Sequence, residues 1–283
     1  WEPAVVLWPE PRTDLVARVT FRASAPDPDS MRVAEVLRAR RTDRRRGRPD
    51  PFDARDAIAR AAPSLTIVER SGDALHDVAE LLADGDRLRF LSGPLCAELL
   101  SEVRWSAEEA RRTRDGLDLA SLEMTPTDVA GLRLLRRSDV LAVMKRLDIG
   151  RGLGKATRES VQAASTVLLL RATGASLRDM LDGGRALAPV WSELNRLGWA
   201  VQPMTALPYL LARFRAGGEG LGSWERAELQ SLDRRYRAIF GDHAGADIML
   251  LRVARSADGL PTRSLRLRPH EVWSETVSAQ SAE

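Results

Sequence analysis

The run Ser165-Thr166-Val167-Leu168-Leu169-Leu170-Arg171-Ala172 decides the fold. Its continuous aliphatic core has the length of a strand, and it lacks the polar alternation of a half-exposed one, which is typical of a strand buried on both faces. A second strong strand is predicted over Asp247–Arg255, close to the other end of the chain. The first of these strands is therefore placed at the centre of a sheet.

A long helix follows the central strand directly. Ser176 is predicted to cap its first turn and Gly198 to follow its last, since serine is favoured at the N-cap and glycine just beyond the C-cap. Gly183 and Gly184 lie inside this helix, where each costs about 1 kcal/mol relative to alanine. We expect close packing or the approach of a ligand to explain them. The apolar positions suited to burial against the sheet are Leu181, Leu187, Val190, Trp191 and Leu194.

The remaining elements are predicted from apolar periodicity. Two strands, 4–8 and 15–21, are separated by Pro9, Pro11 and Asp14 as in a hairpin. Further strands or extended segments are expected at 65–68 and 199–203, and helices at 53–62, 74–90, 95–105, 126–147, 207–214 and 224–240. We assign 1–25 to a strand pair left from a preceding unit or linker, 26–275 to the main domain and 276–283 to a disordered tail.

The most basic stretch is Arg38-Ala39-Arg40-Arg41-Thr42-Asp43-Arg44-Arg45-Arg46-Gly47-Arg48. A helix whose face carries Val33, Val36 and Leu37 is expected to anchor it to a core. The hydroxyl of Thr42 and the forked donors of Arg40, Arg41 and Arg44 suit a phosphate group. Two interpretations stay open: an anion-binding cradle, or a solvated helix end whose arginines complement the helix dipole. A second basic segment runs from Arg263 to Arg268.

Composition excludes several classes of protein. The 283 residues suffice for one large domain or two small ones, and no apolar run is long enough to span a bilayer. The net charge of +3 is too small to indicate nucleic acid, and the tyrosines and phenylalanines are not interleaved with basic residues as a stacking platform requires. We therefore predict neither a nucleic-acid nor a membrane partner.

Metal and nucleotide motifs are also missing from the sequence. Cys96 is the only cysteine, which favours a reducing cytoplasm, and the three histidines have no ligand spacing. The glycine-rich segment Gly150–Thr157 fails as a P-loop, because Ala156 stands where serine or threonine is required, and it fails as a dinucleotide motif, because Lys155 replaces the last glycine. A mobile loop is predicted there.

The order of these segments resembles the flavin-dependent nitroreductase superfamily. An N-terminal helix runs into Arg40-Arg41-Thr42-Asp43-Arg44, a buried strand and long helix lead to the turn at Gly198, and a last strand precedes an arginine-bearing segment. The chain looks most like an actinobacterial subfamily with two nitroreductase-like halves, or like the module that follows a ThiF-like adenylating domain. The resemblance implies an α+β fold with a mixed central β-sheet sandwiched by α-helices, in which 166–171 and 248–253 are neighbouring or near-neighbouring strands.

The resemblance also implies an FMN site and an NAD(P)H-using oxidoreductase. In it, Arg40, Arg41, Thr42 and Arg44 contact the FMN phosphate, ribityl chain and ring edge, and the main chain of Leu197 and Gly198 approaches flavin N5. Arg263 and Arg266 complete the phosphate contacts, so the two basic segments meet on one anion. Such proteins usually build this site across a two-fold interface, which implies a homodimer or a missing N-terminal half, and a small-molecule substrate.

One segment departs from that family. Where its members carry an asparagine and Gln-Pro-Trp next to the flavin, this chain has Ala62-Pro63-Ser64 followed by the strand Leu65–Val68. Either a partner or a missing half supplies the asparagine, or the protein has become a flavin-sequestering or flavin-free module that binds or scaffolds an attached domain.

Overall fold

The computed structural model describes residues 2–8, 16–147 and 149–272. Its chain divides into two compact units, Trp1–Arg40 and Arg41–Glu283, and we describe each by itself. In the first unit, strands β1 (Glu2–Leu7) and β2 (Ala17–Arg22) pair antiparallel, with Val5 opposite Val19, and α1 spans Pro28–Ala39. The strand pair is therefore confirmed. The predicted turn residues Pro9, Pro11 and Asp14, and the predicted tail 276–283, lie outside the described residues.

The predicted anchoring of α1 through its apolar face is wrong for two of its residues. Val33 and Leu37 are 57% and 43% exposed. A two-stranded hairpin and one helix bury too little apolar surface to form a core of their own, so these side chains remain at the surface of the first unit.

The second unit carries the rest of the secondary structure. Its strands are β3 (Thr66–Ser71), β4 (Val103–Arg104), β5 (Leu117–Asp118), β6 (Thr166–Arg171), β7 (Trp199–Pro203) and β8 (Asp247–Arg255). Its helices are α2 (Arg55–Ala61), α3 (Ala74–Leu91), α4 (Gly93–Glu102), α5 (Ala107–Thr113), α6 (Pro126–Leu134), α7 (Ser138–Arg146), α8 (Lys155–Gln162), α9 (Leu177–Arg196), α10 (Ala206–Arg215), α11 (Ser223–Phe240) and α12 (Pro269–Val272). The single helix predicted over 126–147 is thus two helices, α6 and α7.

A four-stranded sheet in the order β3-β6-β8-β7 forms the centre of this unit. All of its neighbouring strands pair antiparallel, and the one parallel pair among the described strands is the short β4–β5. Every residue of β6 is buried, and β6 is hydrogen-bonded to β8 with Leu168 opposite Leu251. The α+β class, the central position of β6 and the adjacency of 166–171 and 248–253 are confirmed. The predicted mixture of parallel and antiparallel strands is wrong for this sheet, because each neighbouring pair in it runs antiparallel.

Helices cover both faces of the sheet, because successive strand residues point to opposite sides. On one face Val167, Leu169 and Leu250 pack with residues of α3, α10 and α11. On the other, Leu168, Leu170 and Val253 pack with residues of α2 and α9. Across the described residues, no helix combines the length and the apolar character needed to cross a bilayer.

Helix α9 begins and ends as predicted. The Ser176 hydroxyl accepts a hydrogen bond from the Asp179 N–H, and the Asp179 carboxylate accepts one from the Ser176 N–H, which together form a capping box. Gly198 follows the last turn with φ +79°, a left-handed conformation that favours glycine. The two glycines inside the helix differ. A Cβ on Gly183 would lie 2.4 Å from Ile248 Cδ1, whereas one on Gly184 would meet nothing within 4 Å.

Candidate functional site

The predicted anion-binding motif is a loop held against the end of α9. The Arg41 N–H donates to Asn195 Oδ1 at 2.9 Å, and Trp191 Nε1 donates to the Arg41 carbonyl at 2.9 Å. Asn195 also donates through Nδ2 to the Trp199 carbonyl at 2.9 Å, on the other side of the Leu197–Gly198 turn. One asparagine side chain therefore ties the start of the motif to the turn that follows the long helix.

Asp43 anchors the middle of this loop. It is 4% exposed; its N–H donates to the Val201 carbonyl at 2.9 Å and so joins the loop to the edge of β7. Its carboxylate accepts from Arg45 Nη2 at 2.8 Å and Nε at 3.0 Å. These bonds to Asp43 are the first cause of the raised pKa of Arg45. The buried carboxylate is therefore neutralised within the loop itself.

The loop also contacts the segment that follows β8. Arg45 Nη1 donates to the Asp258 carbonyl at 2.9 Å and Arg45 Nη2 to the Gly259 carbonyl at 3.1 Å. Farther along the loop, Arg48 and Arg255 exchange main-chain hydrogen bonds of 3.1 and 3.0 Å. The structure thus brings the N-terminal basic stretch beside the segment that leads to Arg263 and Arg266.

Arg44 and the C-terminal segment meet at a third part of the chain, residues 114–123. Arg44 Nη1 donates to the Ser121 carbonyl at 2.9 Å, while the Thr262 N–H donates to Glu123 Oε1 at 2.9 Å. Arg114 Nε donates to the Arg266 carbonyl at 2.8 Å. Burial lowers the pKa of Arg44, and the charges of Asp118 and Glu123 oppose that shift. The guanidinium of Arg44 therefore has a protein acceptor already.

The remaining predicted site residues differ in their exposure and in their hydrogen bonds. Arg41 and Thr42 are partly exposed, and neither side chain makes a hydrogen bond within the part of the chain that the structure describes. Arg263 and Arg266 are exposed, and Arg266 Nη1 donates to the Leu265 carbonyl at 3.0 Å. Arg40 is the last residue of the first unit, where its N–H donates to the Val36 carbonyl at 3.1 Å.

Arg255 contacts the turn that follows α9. Arg255 Nη1 donates to the Leu197 carbonyl at 3.0 Å, and the same guanidinium lies 3.7 Å from the centroid of the Trp199 ring. Arg255 Nε donates to Asp50 Oδ2 at 2.8 Å. Gly198 itself is exposed, although its N–H donates to the Asn195 carbonyl at 3.1 Å.

Arg252 is the residue of this region that the sequence did not single out. It lies in the middle of β8 and is 1% exposed. Its guanidinium donates to the carbonyls of Arg45 at 2.7 Å, Asp43 at 3.2 Å and Ser160 at 3.3 Å. Burial lowers its pKa to about 10, so it remains charged at neutral pH. The one signal in the sequence was an arginine inside an otherwise apolar strand.

A small cavity lies beside the other end of β7. Its volume is about 160 Å³, and the residues that line it include the polar Asp86, Arg89, Thr157 and Gln202 and the segment Pro203–Ala206. The Thr157 hydroxyl donates to the Asp86 carboxylate, and burial raises the pKa of Asp86. Gln202 Oε1 is buried without a partner among the described residues. The sequence did not predict this cavity.

The glycine-rich segment Gly150–Thr157 is structured where a mobile loop was predicted. A 3₁₀ turn over Arg151–Gly154 leads directly into α8. A Cβ on Gly154 would lie only 2.4 Å from the Ala83 carbonyl oxygen. Close packing against α3 therefore explains this glycine, and no phosphate need be invoked. Among the described residues, no group of three acidic, histidine or cysteine side chains is arranged to hold a metal ion.

The chain is similar to known proteins both in sequence and in structure. No family model matches the chain. It is 30% identical over 237 residues to the uncharacterized protein MT1398 of Mycobacterium tuberculosis, an alignment that covers 81% of this chain and 32% of the relative. The chain spans about a third of that protein's length.

Solved structures similar to the chain include two nitroreductases. The FMN-dependent nitroreductase NfnB of Mycobacterium smegmatis, in complex with NADPH, gives a TM-score of 0.46 at 18% identity, covering 88% of this chain and all of that one. A nitroreductase with bound FMN from Bacteroides fragilis gives 0.39 at 13% identity, covering 84% and 95%.

Proposed function

We propose that this chain is an FMN-binding oxidoreductase of the nitroreductase type that uses NAD(P)H. The observation that carries the proposal is the attachment of Arg41 to Asn195 and Trp191. It holds Arg41 of the signature next to the Leu197–Gly198 turn, although the two segments lie far apart in sequence. The resemblance drawn from the sequence requires this proximity for one ligand that touches both.

The residues present fit a flavin phosphate. The Arg41 guanidinium and the Thr42 hydroxyl have no acceptor or donor among the described residues, so they remain available to an anion. The nearest buried carboxylate, that of Asp43, is neutralised by Arg45 and does not repel one. When bound, FMN supplies the hydride chemistry, and the protein supplies binding, orientation and exclusion of water.

The predicted site residues would act on the flavin phosphate either by direct contact or through their charge alone. We propose that Arg41 and Thr42 contact the phosphate directly, and that Arg40, Arg263 and Arg266 add to the positive field around it. Arg44 is bonded to the Ser121 carbonyl, so it contributes charge and holds the loop. Leu197 and Gly198 present their main chain to the flavin ring.

The test is a titration of the apo-protein with FMN, followed by quenching of flavin fluorescence. Replacing Arg41 with alanine removes a charge-assisted hydrogen bond worth roughly 1.5–3 kcal/mol, which corresponds to about a ten- to hundredfold loss of affinity. Arg44→Ala should weaken binding as well. A matched control is Arg178→Ala, an exposed arginine at the start of α9 that pairs with Asp182. Anaerobic NADPH should then bleach the bound flavin.

A second candidate function is a flavin-sequestering or flavin-free module that binds or scaffolds. Two observations favour it: the guanidiniums of Arg44 and Arg45 already have protein acceptors, and the segment Ala62-Pro63-Ser64 lacks the family's asparagine. Absence of saturable FMN binding by the parent protein would decide for this candidate. Equal affinities in the parent, Arg41→Ala and Arg44→Ala would show that the arginine cluster is a solvated surface.

We also propose that the protein is a homodimer in a reducing cytoplasm, with residues 26–275 as the functional domain. The single cysteine, Cys96, is buried and unpaired by any disulfide, which fits such a compartment. Light scattering at micromolar concentration tests the assembly. A monomer would instead favour a missing N-terminal half as the natural partner.

A further inference from the structure

The C-terminal segment, residues 256–268, joins β8 to α12 without forming a helix or a strand. None of its residues is buried, so no apolar core fixes its position. Hydrogen bonds from three other parts of the chain hold it instead. Arg45 donates to the Asp258 and Gly259 carbonyls, Glu123 accepts from the Thr262 N–H, and Arg114 donates to the Arg266 carbonyl.

Two of these anchoring residues have an unusual backbone conformation. Among the described residues, the non-glycine residues with positive φ are Trp8, Arg114 and Glu123, and the last two have φ of +56° and +55°. This left-handed region favours glycine, and any other residue there costs free energy. Arg114 directly follows α5, a position where glycine is the usual residue. A side chain at either position therefore needs a role that glycine cannot fill, and for both the role is a hydrogen bond to the C-terminal segment.

Glu123 also lies close to the basic loop of residues 41–48. Its Oε1 atom accepts from the Thr262 N–H at 2.9 Å. Two residues earlier, the Ser121 carbonyl accepts from Arg44 Nη1 at 2.9 Å. Burial lowers the pKa of Arg44, and the charge of Glu123 is among those that oppose this shift. The short segment 121–123 is therefore bonded to the basic loop and to the C-terminal segment at the same time.

The two arginines predicted for the second set of phosphate contacts lie at the anchored points. Arg263 is next to Thr262, and Arg266 carries the carbonyl that Arg114 binds. Both arginines are exposed, so packing does not restrict their side chains. The position of the main chain therefore decides which ligand they reach.

We infer that Glu123 and Arg114 are positioning residues, which hold the C-terminal segment beside the basic loop so that arginines of both reach one phosphate group. This inference rests on the proposed function and deepens it, because it names what brings the second basic segment to the anion. Neither residue touches the ligand. The carboxylate of Glu123 by itself repels an anion, so Glu123 acts through its hydrogen bond to Thr262 and not through its charge.

The experiment compares Glu123→Gly and Glu123→Gln in the full chain. Both variants lose the same negative charge, but only glutamine keeps an oxygen that accepts from the Thr262 N–H. We expect Glu123→Gly to bind FMN about tenfold more weakly than the parent, as for the loss of one charge-assisted contact, and Glu123→Gln to bind at least as tightly as the parent. Fluorescence quenching measures both. Because glycine relieves the left-handed backbone, the midpoint of urea unfolding should not fall in Glu123→Gly.

A double-mutant cycle tests whether Glu123 acts through Arg263. In the Arg263→Ala variant, Glu123→Gly should have no further effect on FMN affinity, because the side chain that Glu123 positions is gone. The matched background is Arg178→Ala, an exposed arginine of α9 that pairs with Asp182. There Glu123→Gly should still lower the affinity about tenfold.

Trypsin, which cleaves after arginine, tests the anchoring without flavin. The C-terminal segment contains Arg263, Arg266 and Arg268, and its cleavage requires it to leave its anchors. Loss of one anchoring hydrogen bond should raise the cleavage rate within the segment about fivefold in Glu123→Gly and in Arg114→Gly. Glu123→Gln should be cleaved at a rate close to that of the parent.

The outcomes separate this inference from the FMN proposal. FMN binding by Glu123→Gly that equals or exceeds that of the parent overturns the inference and leaves the FMN proposal standing. Equal effects of Glu123→Gly in the Arg263→Ala and Arg178→Ala backgrounds also overturn it. If the parent does not bind FMN, the proposed function fails and the cleavage rates decide. Faster cleavage of both glycine variants then supports the anchoring, and rates equal to that of the parent overturn the inference.

Discussion

Gly183 and Gly184 are adjacent residues of α9, and their replacement by alanine should have different effects on stability. Inside a helix, alanine is more stable than glycine by about 1 kcal/mol. The methyl group added by Gly184→Ala would meet nothing within 4 Å. This substitution should therefore stabilise the protein by about 1 kcal/mol. At Gly183 the same methyl group would lie 2.4 Å from Ile248 Cδ1 and 2.6 Å from Ile248 Cγ1. These distances are too short for real carbon contacts.

The clash of the new methyl group at position 183 with Ile248 determines how far the stabilities of the two variants differ. Overpacking of this kind costs about 1–3 kcal/mol, and the helix preference returns about 1 kcal/mol of it. The net effect of Gly183→Ala is therefore a change between about 0 and −2 kcal/mol in the free energy of unfolding. Since the helix preference is common to both variants, Gly183→Ala should be less stable than Gly184→Ala by about 1–3 kcal/mol.

The assay is urea unfolding of the parent and both variants, with equal m-values as the condition for comparing midpoints. Ile248→Val deletes the Cδ1 atom, so the double variant Gly183→Ala/Ile248→Val should be more stable than the sum of the single effects predicts. Equal stabilities of Gly183→Ala and Gly184→Ala would refute the packing of α9 on β8 described above.

Two further predictions concern titratable side chains. Cys96 is 1% exposed, and burial raises the pKa of its thiol. A thiol reagent should therefore label it only as the protein unfolds, and the labelling rate in urea should follow the loss of helical circular dichroism. Labelling of the native protein at the rate of an unfolded peptide would contradict the burial of this side chain. The hydrogen bond from Arg104, first among its causes, lowers the pKa of Asp115 to about 2, so the pair stabilises the fold above the unfolded pKa of about 4 and loses that contribution as the pH falls to about 2. Arg104→Ala should raise the pKa of Asp115 towards about 4, measured from its carboxyl carbon shift, and an unchanged titration would rule the pair out.

Much of the candidate site was visible in the sequence because its signals are local. The arginine signature, the turn after the long helix and the basic C-terminal segment are each short runs of residues. The structure holds the Arg41 main chain at Asn195, close to the Leu197–Gly198 turn, and it places the segment of Arg266 against the 114–123 region that also binds Arg44. What stayed hidden is which guanidinium is already occupied, since that depends on carbonyls such as those of Ser121 and Asp258, remote in sequence.

The sequence alone determined the centre of the fold. A run such as Val167–Leu170 can only be buried, and the capping residue Ser176 and the left-handed Gly198 set the limits of α9 through bonds and torsions within one or two turns. Tertiary structure decided the rest, because it depends on contacts between remote segments. Gly183 could be told from Gly184 only once Ile248 lay against it. Nothing in the sequence near Arg252 indicates its hydrogen bonds to the Asp43 and Arg45 carbonyls. Only the fold brings these groups together, because they lie far apart in the chain and leave no local sequence pattern.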